Sequence, residues 1–294
     1  MKKYKLIFAL LVFVIVMVGC KYDDFMVDYT YSSVYFPKLS NIRTFVVGEI
    51  HDIQVGVVLG GKRDNKVEEW VNYQIDPTLV PAGSVLLPSD YYTLSNNEKM
   101  VIPVGSFQGA VTISIDTAKF LNDPLSLQAK YVLPFRLIST SADSILPLQK
   151  TQIISLKYEQ KYFGNYYHNG VTTITNAQGI ISNIGYHQDE PVTNVVNNWI
   201  MTTVGPYKLQ TNGISNNKGG VNNAFYMTVT NNGTVNISKS PTSAYSVVGG
   251  PSSYNPEKKE FYLRYSYANA GSTYQVSDTL IFRNRILDGV NQWR

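Results

Sequence analysis

Cysteine is nearly absent from this 294-residue chain, which has only Cys20. One thiol cannot form an internal disulfide or a cysteine-based zinc site, and three histidines leave little material for a histidine-rich metal centre. Charge is scarce too, with 16% Asp, Glu, Lys and Arg against a usual ~25%. Asn, Ser and Thr therefore supply much of the polar surface. Helical periodicity is almost missing, and no run beyond the N-terminus is long enough to span a bilayer. The 44% of apolar residues suffices for a real core, and 21 glycines and 13 prolines are ordinary numbers, so neither disorder nor collagen fits.

The first twenty residues read as an address. Lys2, Lys3 and Lys5 precede an apolar stretch from Leu6 to Val18. At ~1.5 Å per residue this stretch falls short of the ~30 Å hydrocarbon core, so it is expected to be a signal peptide over 1–19 and not a permanent span. It ends in Met17-Val18-Gly19-Cys20, which resembles the lipobox of bacterial lipoproteins. That resemblance implies cleavage before Cys20 and acylation of Cys20, anchoring the chain in outer-membrane lipid. More than one acyl chain is needed for stable anchoring. Residues 20–32 would form the lipidated Cys and its tether, and Lys21-Tyr22-Asp23-Asp24 resembles the acidic tract of surface-exported lipoproteins of Bacteroidetes. Processing would remove three lysines and lower the charge from +4 to +1. Nucleic-acid binding normally needs a basic stripe, which the chain lacks, so no nucleic-acid partner is expected.

The remainder alternates with a period of two. Ile53, Val55, Val57 and Leu59 share one face of a candidate strand, and eight further strand candidates are separated by turn residues such as Gly60-Gly61, Asp76-Pro77 and Asn96-Asn97. This pattern predicts an immunoglobulin-like, antiparallel β-sandwich over 33–157. A compositional step follows: residues 21–157 hold 6 Asn and 8 Tyr, whereas 158–294 hold 19 Asn and 13 Tyr. The second part, 158–294, again reads as strands, among them Gly164–His168 and Val171–Asn176 with a turn at His168-Asn169-Gly170 between them. Its clearest hairpin pairs 260–267 with 273–283. A closed lipocalin-like antiparallel β-barrel or a second sandwich would both satisfy the pattern, and short links between successive strands favour the barrel. The fold class expected is all-β throughout.

Several packing motifs recur in a known order. They are the lipobox, Val34-Tyr35-Phe36-Pro37, the run Tyr131-Val132-Leu133-Pro134-Phe135-Arg136, Tyr162-Phe163-Gly164-Asn165-Tyr166 and Phe261-Tyr262-Leu263-Arg264-Tyr265. The order resembles two-domain Bacteroidetes outer-membrane lipoproteins with an N-terminal immunoglobulin-like domain of unknown function and a C-terminal β-barrel-like domain. That resemblance implies a setting of polysaccharide utilisation, capture of polysaccharide at the extracellular side of the outer membrane, and association with a TonB-dependent transporter complex.

Catalytic signatures do not stand out. There is no Gly-x-Ser-x-Gly elbow, no phosphate-binding or dinucleotide loop and no EF-hand loop. His51 is expected to be a surface histidine, and His187-Gln188-Asp189-Glu190 an exposed loop. The chain is therefore expected to be no enzyme, with no cofactor and no metal. Sugar sites combine flat aromatic platforms with amides and hydroxyls, and the Asn- and Tyr-rich second half fits that chemistry. The candidate ligand-binding residues are Trp199 with Asn197 and Asn198, then Tyr166, Tyr167 and His168, then Tyr262 with Arg264. The competing expectation is a structural or adhesive surface protein that binds other proteins. Asp116-Thr117-Ala118, Asp143-Ser144-Ile145 and Asp278-Thr279-Leu280 also resemble O-glycosylation acceptors in Bacteroidetes.

Overall fold

The computed structural model describes residues 31–188 and 199–293. The signal segment, Cys20, the acidic tract, Asn197 and Asn198 lie outside the described residues. Eleven strands build the first domain: β1 Ser33–Tyr35, β2 Ser40–Val47, β3 Asp52–Gly60, β4 Glu69–Ile75, β5 Val85–Leu86, β6 Tyr92–Leu94, β7 Lys99–Ile102, β8 Gln108–Ile115, β9 Tyr131–Thr140, β10 Ser144–Ile145 and β11 Thr151–Gln160. They form two sheets, ordered β10-β1-β3-β8-β6 and β2-β11-β9-β4-β7, with β5 beside β9. Along β3 the alternation has its expected consequence: Ile53, Val55, Val57 and Leu59 are buried between the sheets and the residues between them are not. Each such side chain contributes about 1.5–3 kcal/mol by leaving water. The sandwich is not wholly antiparallel, because β1 runs parallel to β10, β2 to β11 and β5 to β9. The long β2–β11 ladder brings the first sheet strand beside the last, so both lead toward the second domain.

Thirteen strands follow: β12 Gly164–Thr175, β13 Ile181–Tyr186, β14 Trp199–Gly205, β15 Lys208–Thr211, β16 Gly213–Ile214, β17 Asn217–Lys218, β18 Phe225–Val229, β19 Thr234–Lys239, β20 Val248–Gly249, β21 Ser252–Asn255, β22 Glu260–Asn269, β23 Ser272–Leu287 and β24 Val290–Trp293. Neighbours pair antiparallel in the order β12-β14-β15-β18-β19-β21-β22-β23, and β23 pairs back to β12. The ring is closed, so the second domain is an eight-stranded up-and-down barrel. Closure removes the free sheet edges that a second sandwich would have retained. Inward residues alternate along each strand and fill the interior, with Trp199 and Met201 on β14, Phe225 and Met227 on β18, and Phe261, Leu263, Tyr265 and Tyr267 on β22.

The expected turn at His168-Asn169-Gly170 is corrected: these residues lie inside the continuous strand β12, paired to β23 from Asn165 to Thr175. Gly170 is needed there for close packing and not for a bend. A Cβ at this position would stand 2.4 Å from Asp278 Oδ1 and 2.7 Å from Tyr186 Cε2. The partner on the other side of β12 is split: β14 pairs with Gly164–Tyr166 and β13 with Gly170–Thr175.

Gln160 and Gly164 are separated by three residues, so the sandwich passes almost directly into the barrel. The Gln160 amide donates to Thr203 Oγ1 at 2.9 Å, and Asp288, in the β23–β24 turn, accepts from Thr44 and pairs with Arg43 at 3.3 Å. Arg285 Nη2 meets Glu49 Oε2 at 2.6 Å. These contacts hold the two domains at one end of the barrel. Among the described residues no helix is long and apolar enough to cross a membrane.

Candidate functional site

The short inter-domain link creates a cleft of about 320 Å³ at the base of the barrel. Glu49, in the β2–β3 turn, stands on the sandwich side, and Lys161 and Tyr162 come from the link. Tyr254, Pro256, Lys259, Phe282, Arg285, Gln292 and Trp293 come from the barrel, and Tyr166 reaches it from within. Domain junctions are a usual place for ligand sites, and this volume lies at the lower end of the usual ~300–1,000 Å³.

The aromatic side chains are held by one another. The Tyr162 and Tyr254 rings meet edge to face at 4.6 Å, and both lean on Phe261, at 5.5 and 4.6 Å. Trp293 remains 60% exposed, with the Arg283 guanidinium 5.8 Å from its ring. Half-burial and the neighbouring Tyr162 and Glu49 push the Tyr254 hydroxyl up to about 12, so it is a neutral donor and acceptor at physiological pH. Arg285 forms the floor. It donates to Glu49, to the Lys161 carbonyl at 2.9 Å and to Gln292 at 2.7 Å.

The sequence-derived candidates separate into three places. Tyr166 is buried, and its hydroxyl donates to the Tyr162 carbonyl at 2.8 Å, so it supports the cleft from behind. Tyr167 is half-buried on the outside of β12, where Arg283 lies 6.0 Å from its ring. Trp199 and His168 lie in the core. Trp199 is fully buried and packs at a tilt against the His168 ring at 4.2 Å, so it offers no open platform to a ligand. The reason is strand phase, since position 199 points inward with Met201. Tyr262 and Arg264 do face outward, because they alternate with the buried Phe261, Leu263 and Tyr265. They lie along open grooves of about 250 and 520 Å³, but Tyr265, the aromatic residue of the larger groove, is buried. The larger groove therefore lacks the exposed ring that the cleft has, whereas the smaller one carries the exposed Tyr262.

Around His168 the barrel encloses a polar cluster. Asp278 accepts from the Tyr265 hydroxyl at 2.7 Å and from the Tyr186 hydroxyl. Tyr265 in turn accepts from the Ser215 amide at 2.7 Å. Burial first, then the Asp278 carboxylate, pushes the Tyr186 and Tyr265 phenols well up. His168 Nε2 stands 3.1 Å from Asp278 Oδ1, an ion-pair distance without hydrogen-bond alignment. The pair is completely enclosed. Among the described residues no group of three or more His, Cys, Asp and Glu could hold a metal ion. In two of the tripeptides that resemble O-glycosylation acceptors the leading aspartate is engaged in structure: Asp116 caps the short helix Thr117–Phe120 and Asp143 accepts from Ser32.

Sequence reasoning missed Trp293, Tyr254, Lys161, Lys259 and Arg285 as a group. Of the cleft's surroundings only the link run Tyr162-Phe163 and the candidate Tyr166 stood out in the sequence, and neither indicated these residues.

One solved structure shares the fold of this chain. A family model described as a "-like, N-terminal domain" matches residues 29–144, most of the sandwich. No curated protein matches the chain. A crystal structure of a structural-genomics protein of unknown function from Bacteroides ovatus superposes with a TM-score of 0.72. It is 20% identical, and the match covers 90% of this chain and 98% of that one. At that identity the likeness is one of fold, and it extends over both domains. A multidomain protein including DUF1735 from Bacteroides ovatus reaches a TM-score of 0.46 at 12% identity over 90% of this chain and 100% of that one, too loose to carry an argument. The same holds for Bacteroides thetaiotamicron EndoBT-3987 with Man5GlcNAc product, at a TM-score of 0.31 and 17% identity over 40% of this chain and 28% of that one.

Proposed function

We propose that this protein is a lipid-anchored surface protein that binds a glycan in the inter-domain cleft and serves polysaccharide capture and uptake without catalysing a reaction. The observation that supports this most is the cleft itself. An exposed Trp293 and the rings of Tyr162 and Tyr254 stand beside the amide of Gln292 and the charged heads of Lys161 and Lys259. Sugar rings present apolar C–H faces and hydroxyl edges, which call for that pairing of aromatic surface with hydrogen-bonding groups. The lipobox-like Cys20 supplies the anchor at the extracellular side of the outer membrane, and the sandwich acts as the spacer that lifts the barrel from the lipid. A TonB-dependent transporter complex is the partner this role requires. Affinity electrophoresis of the mature protein through gels containing a panel of polysaccharides tests the reading. Retardation that disappears in Trp293→Ala supports it, and free migration through every glycan overturns it. Cys20→Ala is expected to release the protein from membranes, and continued membrane fractionation would refute the anchor.

A second reading, adhesion to other proteins, is favoured by one feature. Ile181 and Ile184 on β13 are 64% and 44% exposed, and every residue of this strand except Tyr186 is exposed. Recovery of a stoichiometric outer-membrane partner together with no glycan binding would favour it.

A further inference from the structure

We infer that the glycan taken by the cleft is an acidic one, carrying carboxylate or sulfate groups, and that Lys161 and Lys259 recognise its negative charge. This rests on the reading of the cleft as a glycan site. Four charged side chains line the cleft, three cations and one carboxylate. The carboxylate, Glu49, is engaged by Arg285, and Arg285 is further held by the Lys161 carbonyl and Gln292. That ion pair is internally balanced and builds the floor. The surplus is two ammonium groups. Among the described residues neither Lys161 nor Lys259 makes an ion pair with a carboxylate, unlike Lys62, Lys119 and Lys157 elsewhere in the chain.

Each lysine packs against a neighbouring ring, and neither head has a carboxylate partner among the described residues. Lys161 lays its Cδ against the backbone of Gly48, where an added Cβ would come within 3.4 Å of it, and its Nζ lies 4.9 Å from the Tyr162 ring. Lys259 holds a left-handed backbone at φ 54, a conformation in which glycine or asparagine is the comfortable residue. Its carbonyl accepts from the Phe282 amide at 3.0 Å and its Nζ lies 5.7 Å from the Phe282 ring. A lysine kept in a strained turn position, with its amine at the cleft, is a reason to look for a function of that amine. Each ammonium is also attracted to its ring, which keeps it near the aromatic faces on which a sugar would lie. An anionic sugar residue would then place its apolar face on Tyr254 or Trp293 and its acid group between the two lysines. The modest volume suits a short stretch of such a chain.

The experiment is affinity electrophoresis of the mature full-length protein through gels containing polygalacturonate or alginate, chondroitin sulfate, or neutral galactomannan and starch. The wild type is expected to be retarded by at least one anionic polymer, and raising the salt should weaken that retardation, since exposed charges are screened within about 8–10 Å at 0.1–0.15 M. The Lys161→Gln/Lys259→Gly double variant should lose at least tenfold in anionic affinity, while Lys161→Arg/Lys259→Arg retains it. Because glycine suits the backbone at 259, this variant keeps its fold, which circular dichroism verifies. The carboxylated and sulfated arms separate the two sources of charge. Undiminished anionic binding in the folded double variant overturns the inference. Retardation by neutral polymers alone also overturns it while leaving glycan binding intact, and retardation by none overturns both.

Discussion

The barrel interior around His168 and the cleft at its base are built from the same residue types, yet they behave as opposites. Inside, Trp199 packs on His168, and Asp278 accepts from Tyr265 and from the half-buried Tyr186; all of these but Tyr186 are closed to solvent. At the base, Trp293 is open, Tyr162 and Tyr254 brace each other at 4.6 Å, and two lysines have no carboxylate partner among the described residues. The difference shows that tyrosine- and tryptophan-rich composition marks a domain and not a site. A ring in the core contributes stability, and the same ring at a junction can stay open to solvent.

The strongest way to break this comparison is Trp199→Ala. It should cost the barrel about 3–5 kcal/mol, as for other buried large aromatics, measured by urea unfolding. A loss below ~1 kcal/mol would remove Trp199 from the core role. Asp278→Ala is expected next, at about 3 kcal/mol, because it leaves the buried Tyr265 hydroxyl without its acceptor and removes one from the half-buried Tyr186.

Alkaline pH tests both regions at once. Tyr254 in the cleft and Tyr267 in the barrel are pushed up to about 12, chiefly by burial, and Tyr265 is held well above its ordinary value. The folded state therefore keeps protons that the unfolded chain loses near pH ~10. The stabilisation is fully present below pH ~10 and is lost as the pH rises toward about 12. Thermal melts should show this decline, and Tyr265→Phe should make it shallower.

Smaller effects belong to the cleft. Trp293→Ala should change stability by no more than about 0.5 kcal/mol, as exposed substitutions usually do, while reducing glycan retardation. Lys259→Gly should raise stability by about 0.5 kcal/mol by relieving the left-handed backbone, and a scan of the melting midpoint checks the sign.

Much of the fold was legible in the sequence because strand burial has a period of two. The alternation in β3, β22 and β23 identifies inward and outward residues by counting, and this correctly places Tyr262 and Arg264 on the outer face. His168-Asn169-Gly170 misled because its local turn chemistry is genuine. Only the approach of Asp278 and Tyr186 from β23 and β13 shows that the glycine provides space. Trp199 misled for a related reason, since the two asparagines before it suggest a surface while its strand phase buries it.

The sequence by itself determined an all-β chain, a compositional step near 157 and 158, and an N-terminal segment that resembles a lipoprotein leader. These are local properties, carried by alternation, composition and a short motif. The closure of β12 on β23, the burial of Trp199 and the assembly of Glu49, Lys161, Tyr254, Lys259, Arg285 and Trp293 into one cleft were decided only by the tertiary structure. Those residues come from three separate stretches of the chain, at 49, at 161 and within 254–293. Only the barrel's closure and the three-residue link between domains bring them to one cleft.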